Sequence, residues 1–353
     1  MRKLLLSTAI ASATLIASNA IAQTTVSGNL DISFKLLSDN SGLANDTGSY
    51  NGFGKEAQIN IQNKGKLNNG MDYAAGFSLE DDGNQAGAYF NENTYINFIS
   101  GNTTFHIGQD HIQNNDRTLG NFQGLIAEDL TNTNLNGAAL AGAFADIFLA
   151  DVGGNPAASY GVGIIQTIPG FGNLSALYVP NNTGATVFGG DDTGTDDAIE
   201  SAYEIGFVGD LGVKGLSTHA FYAKGQKLHN AAATSVDPKG HNIGISYNMG
   251  ATTVGYNFKK NTPTVNTAAE VSTKQNEFAV SYALTPNLTL AANYTKAEKD
   301  GTNTPEDAKS KSVSVGYSLG AIALTAQAAK LEAFSGVEGV DADVLYLRAS
   351  TKF

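Results

Sequence analysis

Val26-Ser27-Gly28-Asn29-Leu30-Asp31-Ile32-Ser33-Phe34-Lys35-Leu36 decides the fold: every even-numbered residue is apolar or glycine, and every odd-numbered one is polar. A strand turns successive side chains to opposite faces, so this segment has one oily side and one wet side. The same period of two returns in Ala57-Gln58-Ile59-Asn60-Ile61-Gln62, in Asn242-Ile243-Gly244-Ile245-Ser246-Tyr247, and in Ser312-Val313-Ser314-Val315-Gly316-Tyr317. It also ends the chain, where Leu345, Leu347, Ala349, Thr351 and Phe353 alternate with Tyr346, Arg348, Ser350 and Lys352. Three weaker segments, 158–166, 173–179 and 216–224, read as strands whose oily face cannot be assigned; with them the count is sixteen.

The connections alternate as well. Short turns such as Asn68-Asn69-Gly70, Ser100-Gly101-Asn102, Asn248-Met249-Gly250 and Thr285-Pro286-Asn287 carry the residues that tight turns need. Between them lie long polar loops at 37–55, 81–88, 180–199, 225–239, 260–275, 296–310 and 329–342, and one much longer connection at 110–155. Short turns on one rim and long loops on the other are the pattern of a transmembrane barrel.

The polar faces are too rich in Asn, Ser, Asp, Glu, Lys and Gln to pack as a dry core. Each buried polar group left without a partner costs about 1–3 kcal/mol. In a bilayer, a closed sheet satisfies every backbone group without an edge. About sixteen strands also leave an aqueous channel for the wet faces. The expected fold is all-β, a 16-stranded antiparallel transmembrane β-barrel. Tyr73, Tyr203, Tyr222, Tyr247, Tyr256, Tyr282 and Tyr294 suit the interface girdles of such a barrel, since tyrosine has an apolar body and a polar tip.

Composition narrows the class further. Asp and Glu outnumber Lys and Arg by 33 to 21, for a formal net charge of −12, which repels a phosphate backbone and argues against nucleic acid. The absence of cysteine removes disulfides and thiol chemistry. Arg2 and Lys3, the mostly apolar run 4–16 and the small-residue site Ala20-Ile21-Ala22 form a secretory signal peptide, 1–22, cut after Ala22. Residues 23–353 then form the barrel domain.

No catalytic constellation is complete. Gly316-Tyr317-Ser318-Leu319-Gly320 matches a nucleophile elbow, but that arrangement needs a later histidine and none follows Ser318. The chain is expected not to be an enzyme. No zinc-type spacing is present, and the acidic loop Asp191-Asp192-Thr193-Gly194-Thr195-Asp196-Asp197 lacks the spaced ligands of a calcium loop. No metal or cofactor is expected.

Three stretches carry a family resemblance: Thr25-Val26-Ser27-Gly28-Asn29-Leu30, Phe105-His106-Ile107-Gly108-Gln109-Asp110, and the terminal Phe353 in phase with an apolar strand face. The chain resembles the Gram-negative general porins, in particular the trimeric porins of the alphaproteobacterial type. The resemblance implies an outer-membrane channel for passive diffusion of small hydrophilic solutes and ions. It also implies a homotrimer in contact with outer-membrane lipid and lipopolysaccharide. In such proteins the third long loop, here 110–155, folds into the barrel and sets acids against bases on the wall. The expected loop acids are Asp116, Glu128 and Asp129, and the expected wall bases are Lys35, His106 and Arg348. Phe353 resembles the terminal aromatic that the outer-membrane assembly machinery reads. Beyond the signal peptide only two arginines remain, Arg117 and Arg348, which departs from the arginine-rich wall of the family and favours cations. A substrate-selective channel and a surface adhesin on a barrel scaffold are the alternative readings.

Overall fold

A computed structural model describes residues 23–39, 50–81, 90–109, 160–179, 199–227, 239–262, 272–300, 306–333, 338–339 and 341–353. Within them the chain forms β1 (Gln23–Asp39), β2 (Tyr50–Lys66), β3 (Asp72–Asp81), β4 (Phe90–Ser100), β5 (Thr103–Gln109), β6 (Tyr160–Ile168), β7 (Gly172–Val179) and β8 (Ile199–Gly209). It continues through β9 (Leu216–Lys227), β10 (Lys239–Met249), β11 (Thr252–Thr262), β12 (Ser272–Thr285), β13 (Leu288–Asp300), β14 (Ala308–Leu319), β15 (Ile322–Glu332) and β16 (Ala342–Lys352). Each strand pairs antiparallel with its sequence neighbours, and β1 pairs with β16, so the sheet closes into a 16-stranded barrel.

Burial is inverted relative to a soluble protein. Ile32, Ile107, Ile205, Ile243 and Phe278 are 50–54% exposed, whereas the inward Asn242 and Glu277 are each 1% exposed. The apolar faces read from the sequence point outward on every strand where alternation was clear. A lipid-facing exterior resolves the inversion: the exposed side chains are those that meet hydrocarbon.

The seam between β1 and β16 is closed by the last residue. Gly28 N donates to Phe353 O at 2.8 Å, and Phe353 N donates back to Gly28 O at 3.0 Å. The Phe353 ring lies over Gly28, where an added Cβ would stand 2.6 Å from ring Cζ and 2.4 Å from Gln58 O. Only glycine fits beneath that ring. Gly28→Ala is expected to displace Phe353 and destabilise the barrel by about 1–3 kcal/mol through overpacking. Urea unfolding of the liposome-embedded barrel measures this, and an unchanged midpoint contradicts it.

Two features differ from the sequence reading. The strands run farther toward the long loops: β1 reaches Asp39, β2 starts at Tyr50, β13 reaches Asp300 and β14 starts at Ala308. Above the apolar band both faces are polar, so alternation of hydropathy stops while strand pairing continues. The second feature is the parity of the three weak strands. On β7, Leu174 and Tyr178 face outward, yet Leu177 and Val179 face inward and are buried. On β9, Tyr222 is outward and Phe221 and Ala223 are inward and buried. Apolar residues on both faces remove the period-two signal there.

Candidate functional site

The inward face is a wall of short polar side chains that bridge neighbouring strands. Ser78 Oγ donates to Asn60 Oδ1 at 2.7 Å, Asn60 Nδ2 to Gln58 Oε1 at 3.3 Å, and Gln58 Nε2 to Glu80 Oε2 at 3.2 Å. On β13 to β15, Gln327 Nε2 donates to Ser312 Oγ at 3.0 Å, and Ser312 Oγ donates to Asn293 Oδ1. These bonds, between neighbouring strands except for Asn60–Gln58 within β2, satisfy the wet face while leaving its remaining donors and acceptors to the lumen.

Lys35 and Arg348 both face inward and sit on adjoining strands. Arg348 lies opposite Ser33, and Lys35 lies opposite Tyr346 with its Nζ 5.1 Å from the Tyr346 ring centroid. The ring helps fix the lysine by cation–π attraction. His106 also faces inward, but four strand pairings away on β5. It is 1% exposed, its Nδ1 is 2.8 Å from Asn97 Oδ1, and its ring stacks 6.4 Å from that of Tyr95. The three basic residues therefore make two groups: a Lys35–Arg348 pair at the seam and a packed His106 elsewhere. Asp116, Glu128 and Asp129 lie outside the described residues, as does the whole connection 110–155 and the signal segment 1–22.

Alternation alone also puts other charges on the wall that composition gave no reason to rank. Among the described strand side chains away from the short-turn rim, the inward acids are Asp31, Glu56, Glu80, Glu204 and Glu277, against the bases Lys35, Lys259 and Arg348. His219 is a further inward group: its Nε2 lies 2.9 Å from Asn242 Oδ1 and 3.1 Å from Asn257 Oδ1. The imidazole crosses the neighbouring strand over Gly244, where a Cβ would stand 2.2 Å from ring Cε1.

Ser318 lies on β14, one residue before that strand ends. No histidine lies on β13, β14 or β15, the strand that holds Ser318 and its two neighbours. Among the described residues, no group of His, Cys, Asp and Glu side chains could hold a metal ion. No described helix is long and apolar enough to cross a membrane, and the crossing elements are strands.

An edgeless barrel with an oily exterior and a charged, hydrogen-bonded interior defines the class of transmembrane β-barrel channels. Residues 7–333 match the family model of the Gram-negative porins, and the chain belongs to that family. Its place is accordingly the outer membrane, as an outer-membrane porin channel. No curated protein sequence matches it. Solved structures match its fold. The anion-selective porin from Comamonas acidovorans aligns at TM-score 0.71 and 15% identity, covering 94% of this chain and 100% of that one. A trimer form of OmpT, an outer membrane protein of Vibrio cholerae, aligns at 0.62 and 13%, covering 94% and 99%. A mutant of the Rh. blastica porin aligns at 0.58 and 13%, covering 94% and 100%.

Proposed function

We propose that the chain is a passive, water-filled channel for small hydrophilic solutes and ions, with a preference for cations. The observation that carries this is the sign of the wall away from the short-turn rim: five inward acids against three inward bases among the described strand side chains there. A lumen lined by excess carboxylate concentrates cations and repels anions. The Comamonas acidovorans relative is described as anion-selective. At 15% identity the fold is shared, while the wall charge is set by each chain's own side chains.

The proposed constriction is the 110–155 connection folded inward, with Asp116, Glu128 and Asp129 opposite Lys35, His106 and Arg348. Burial on the inward faces of β6 to β9 supports it. Leu177 and Val179 pack with Ile165, and Phe221 and Ala223 pack with Val208, all on the lumen side of a barrel wide enough for water. Apolar side chains on a wet wall gain by being covered, by roughly 25 cal/mol per Å². A homotrimer is the proposed assembly, after the trimer form recorded for the Vibrio cholerae protein. Phe353 is the proposed assembly signal, and residues 1–22 the proposed export signal.

The test is single-channel recording in planar bilayers across a KCl gradient. Stepwise conductance with a reversal potential on the cation side is expected. Absence of conductance from correctly folded barrels removes the channel, and an anion-side potential removes the preference. A substrate-selective channel would instead saturate with one solute class in liposome swelling.

A further inference from the structure

The inward face of β11 and β12 holds two buried donors that the hydrogen-bonded wall does not meet. Lys259 on β11 lies directly opposite Gln275 on β12, and the two are 4% and 2% exposed. Among the described residues, no hydrogen bond or ion pair reaches Lys259 Nζ, and Gln275 Nε2 is buried without an acceptor. An ammonium taken out of water is unfavourable unless an anion meets it. One rung toward the short turn, Asn257 lies opposite Glu277, and these are 4% and 1% exposed. His219 prepares that rung from the side of β9. Its Nε2 lies 2.9 Å from Asn242 Oδ1 and 3.1 Å from Asn257 Oδ1, so Nε2 carries the proton and both amide oxygens are engaged. Asn257 is left with its amide N–H groups to offer.

Lys259, Gln275, Asn257 and Glu277 mark the corners of one patch. Opposed side chains on neighbouring strands start about 5 Å apart, and successive side chains on one face of a strand about 7 Å apart. Lys259 and Glu277 occupy a diagonal of the patch, and no ion pair joins them. The patch lies level with the outward Phe258, at the upper edge of the apolar band, where Lys260 follows on the strand. Each of the two charges excludes one kind of simple ligand. A plain anion at Lys259 meets Glu277 one rung away, and a plain cation at Glu277 meets Lys259. A molecule that carries both charges close together satisfies the two corners at once. A carboxylate accepts about four hydrogen bonds, so Glu277 can receive an ammonium beside the interaction it already makes.

We propose that this patch of the lumen wall binds a zwitterionic solute of the amino-acid type. Lys259 Nζ and Gln275 Nε2 donate to its carboxylate, Asn257 supplies a further donor, and Glu277 accepts from its ammonium. Charge-assisted hydrogen bonds of this kind are stronger than neutral ones, and burial strengthens them again. The side chain of the solute extends into the lumen, so the patch reads the headgroup that such molecules share. The inference rests on the reading of the lumen as a solute passage and gives that passage a substrate class.

The test is saturation-transfer NMR on the full barrel, refolded in neutral detergent at neutral pH, with alanine, propionate and ethylammonium as probes. Alanine is expected to bind saturably, and each half-ligand about tenfold or more weakly, since each lacks one charged contact. Lys259→Met is expected to weaken alanine by a similar factor and to leave ethylammonium unchanged. Gln275→Leu, which exchanges one neutral side chain for another, is expected to weaken alanine and propionate together, and it serves where Lys259→Met does not fold. No saturable alanine binding by the parent protein overturns the proposal, and so does propionate binding as tightly as alanine. Undiminished alanine binding by a folded variant overturns it as well. Conductance from the same preparations tells the two readings apart: open channels without alanine binding sink the wall site alone, and folded barrels without conductance sink the passage.

Discussion

Val280→Arg is expected to destabilise the barrel by about 2–4 kcal/mol, the cost of an arginine near the bilayer midplane on a lipid-facing wall. Val280 lies on β12 between the outward Phe278 and Tyr282, is 42% exposed, and pairs laterally with Val254 on β11 and Ala292 on β13. An arginine there has apolar neighbours in all four directions and must snorkel past a rung of them to reach water. The control is Asn293→Arg on the next strand. Asn293 faces inward, opposite Ala279 and Ser312, so its replacement extends into the lumen and forfeits one hydrogen bond, at about 1 kcal/mol. Unfolding midpoints in liposomes measure both. The comparison isolates orientation, because the same arginine enters adjoining strands on opposite faces. If the two variants lose equal stability, the assignment of faces is wrong.

That assignment was legible in the sequence because the bilayer imposes it residue by residue. Ile243 and Ile245 contact lipid, Asn242 and Ser246 do not, and no soluble fold keeps such a pattern on so many strands. Legibility failed where the physical demand relaxes. Above the band, Lys309 and Lys311 face outward into a polar layer, so the chain no longer marks its faces and strand ends read as loop. On β7 and β9 the lumen side holds Leu177, Val179, Phe221 and Ala223, and alternation disappears for the opposite reason. The wall site shows the same division. Lys35 and Arg348 are identifiable as inward by parity, but their adjacency depends on closure of the first strand onto the last, which pairs Ser33 with Arg348 across more than three hundred residues. His106 was identifiable as inward, whereas its burial against Asn97 and Tyr95 is a packing result that no local pattern encodes.

Charge exchange on the wall is expected to move ion selectivity in opposite directions according to the sign removed. Glu204 on β8 and Glu277 on β12 face the lumen and are 7% and 1% exposed. Replacing both by lysine turns an acid-rich wall into a base-rich one, so the reversal potential in a KCl gradient is expected to move toward the anion side. Arg348→Ala removes a base beside Lys35 and is expected to move it further toward the cation side. A unit charge 4 Å from a passing ion contributes about 4 kcal/mol at an effective dielectric of 20, against about 1 kcal/mol in bulk water. Wall charges therefore dominate only where the lumen is narrow and poorly screened. Both shifts are expected to shrink as salt rises, since the Debye length falls from about 30 Å at 0.01 M to about 3 Å at 1 M. Displacement of both variants in the same direction would sink the wall-charge account, because opposite signs at the lumen surface cannot produce it. Unchanged potentials in both would place the controlling charges elsewhere, with the acids Asp116, Glu128 and Asp129 of the 110–155 connection as the next residues to replace.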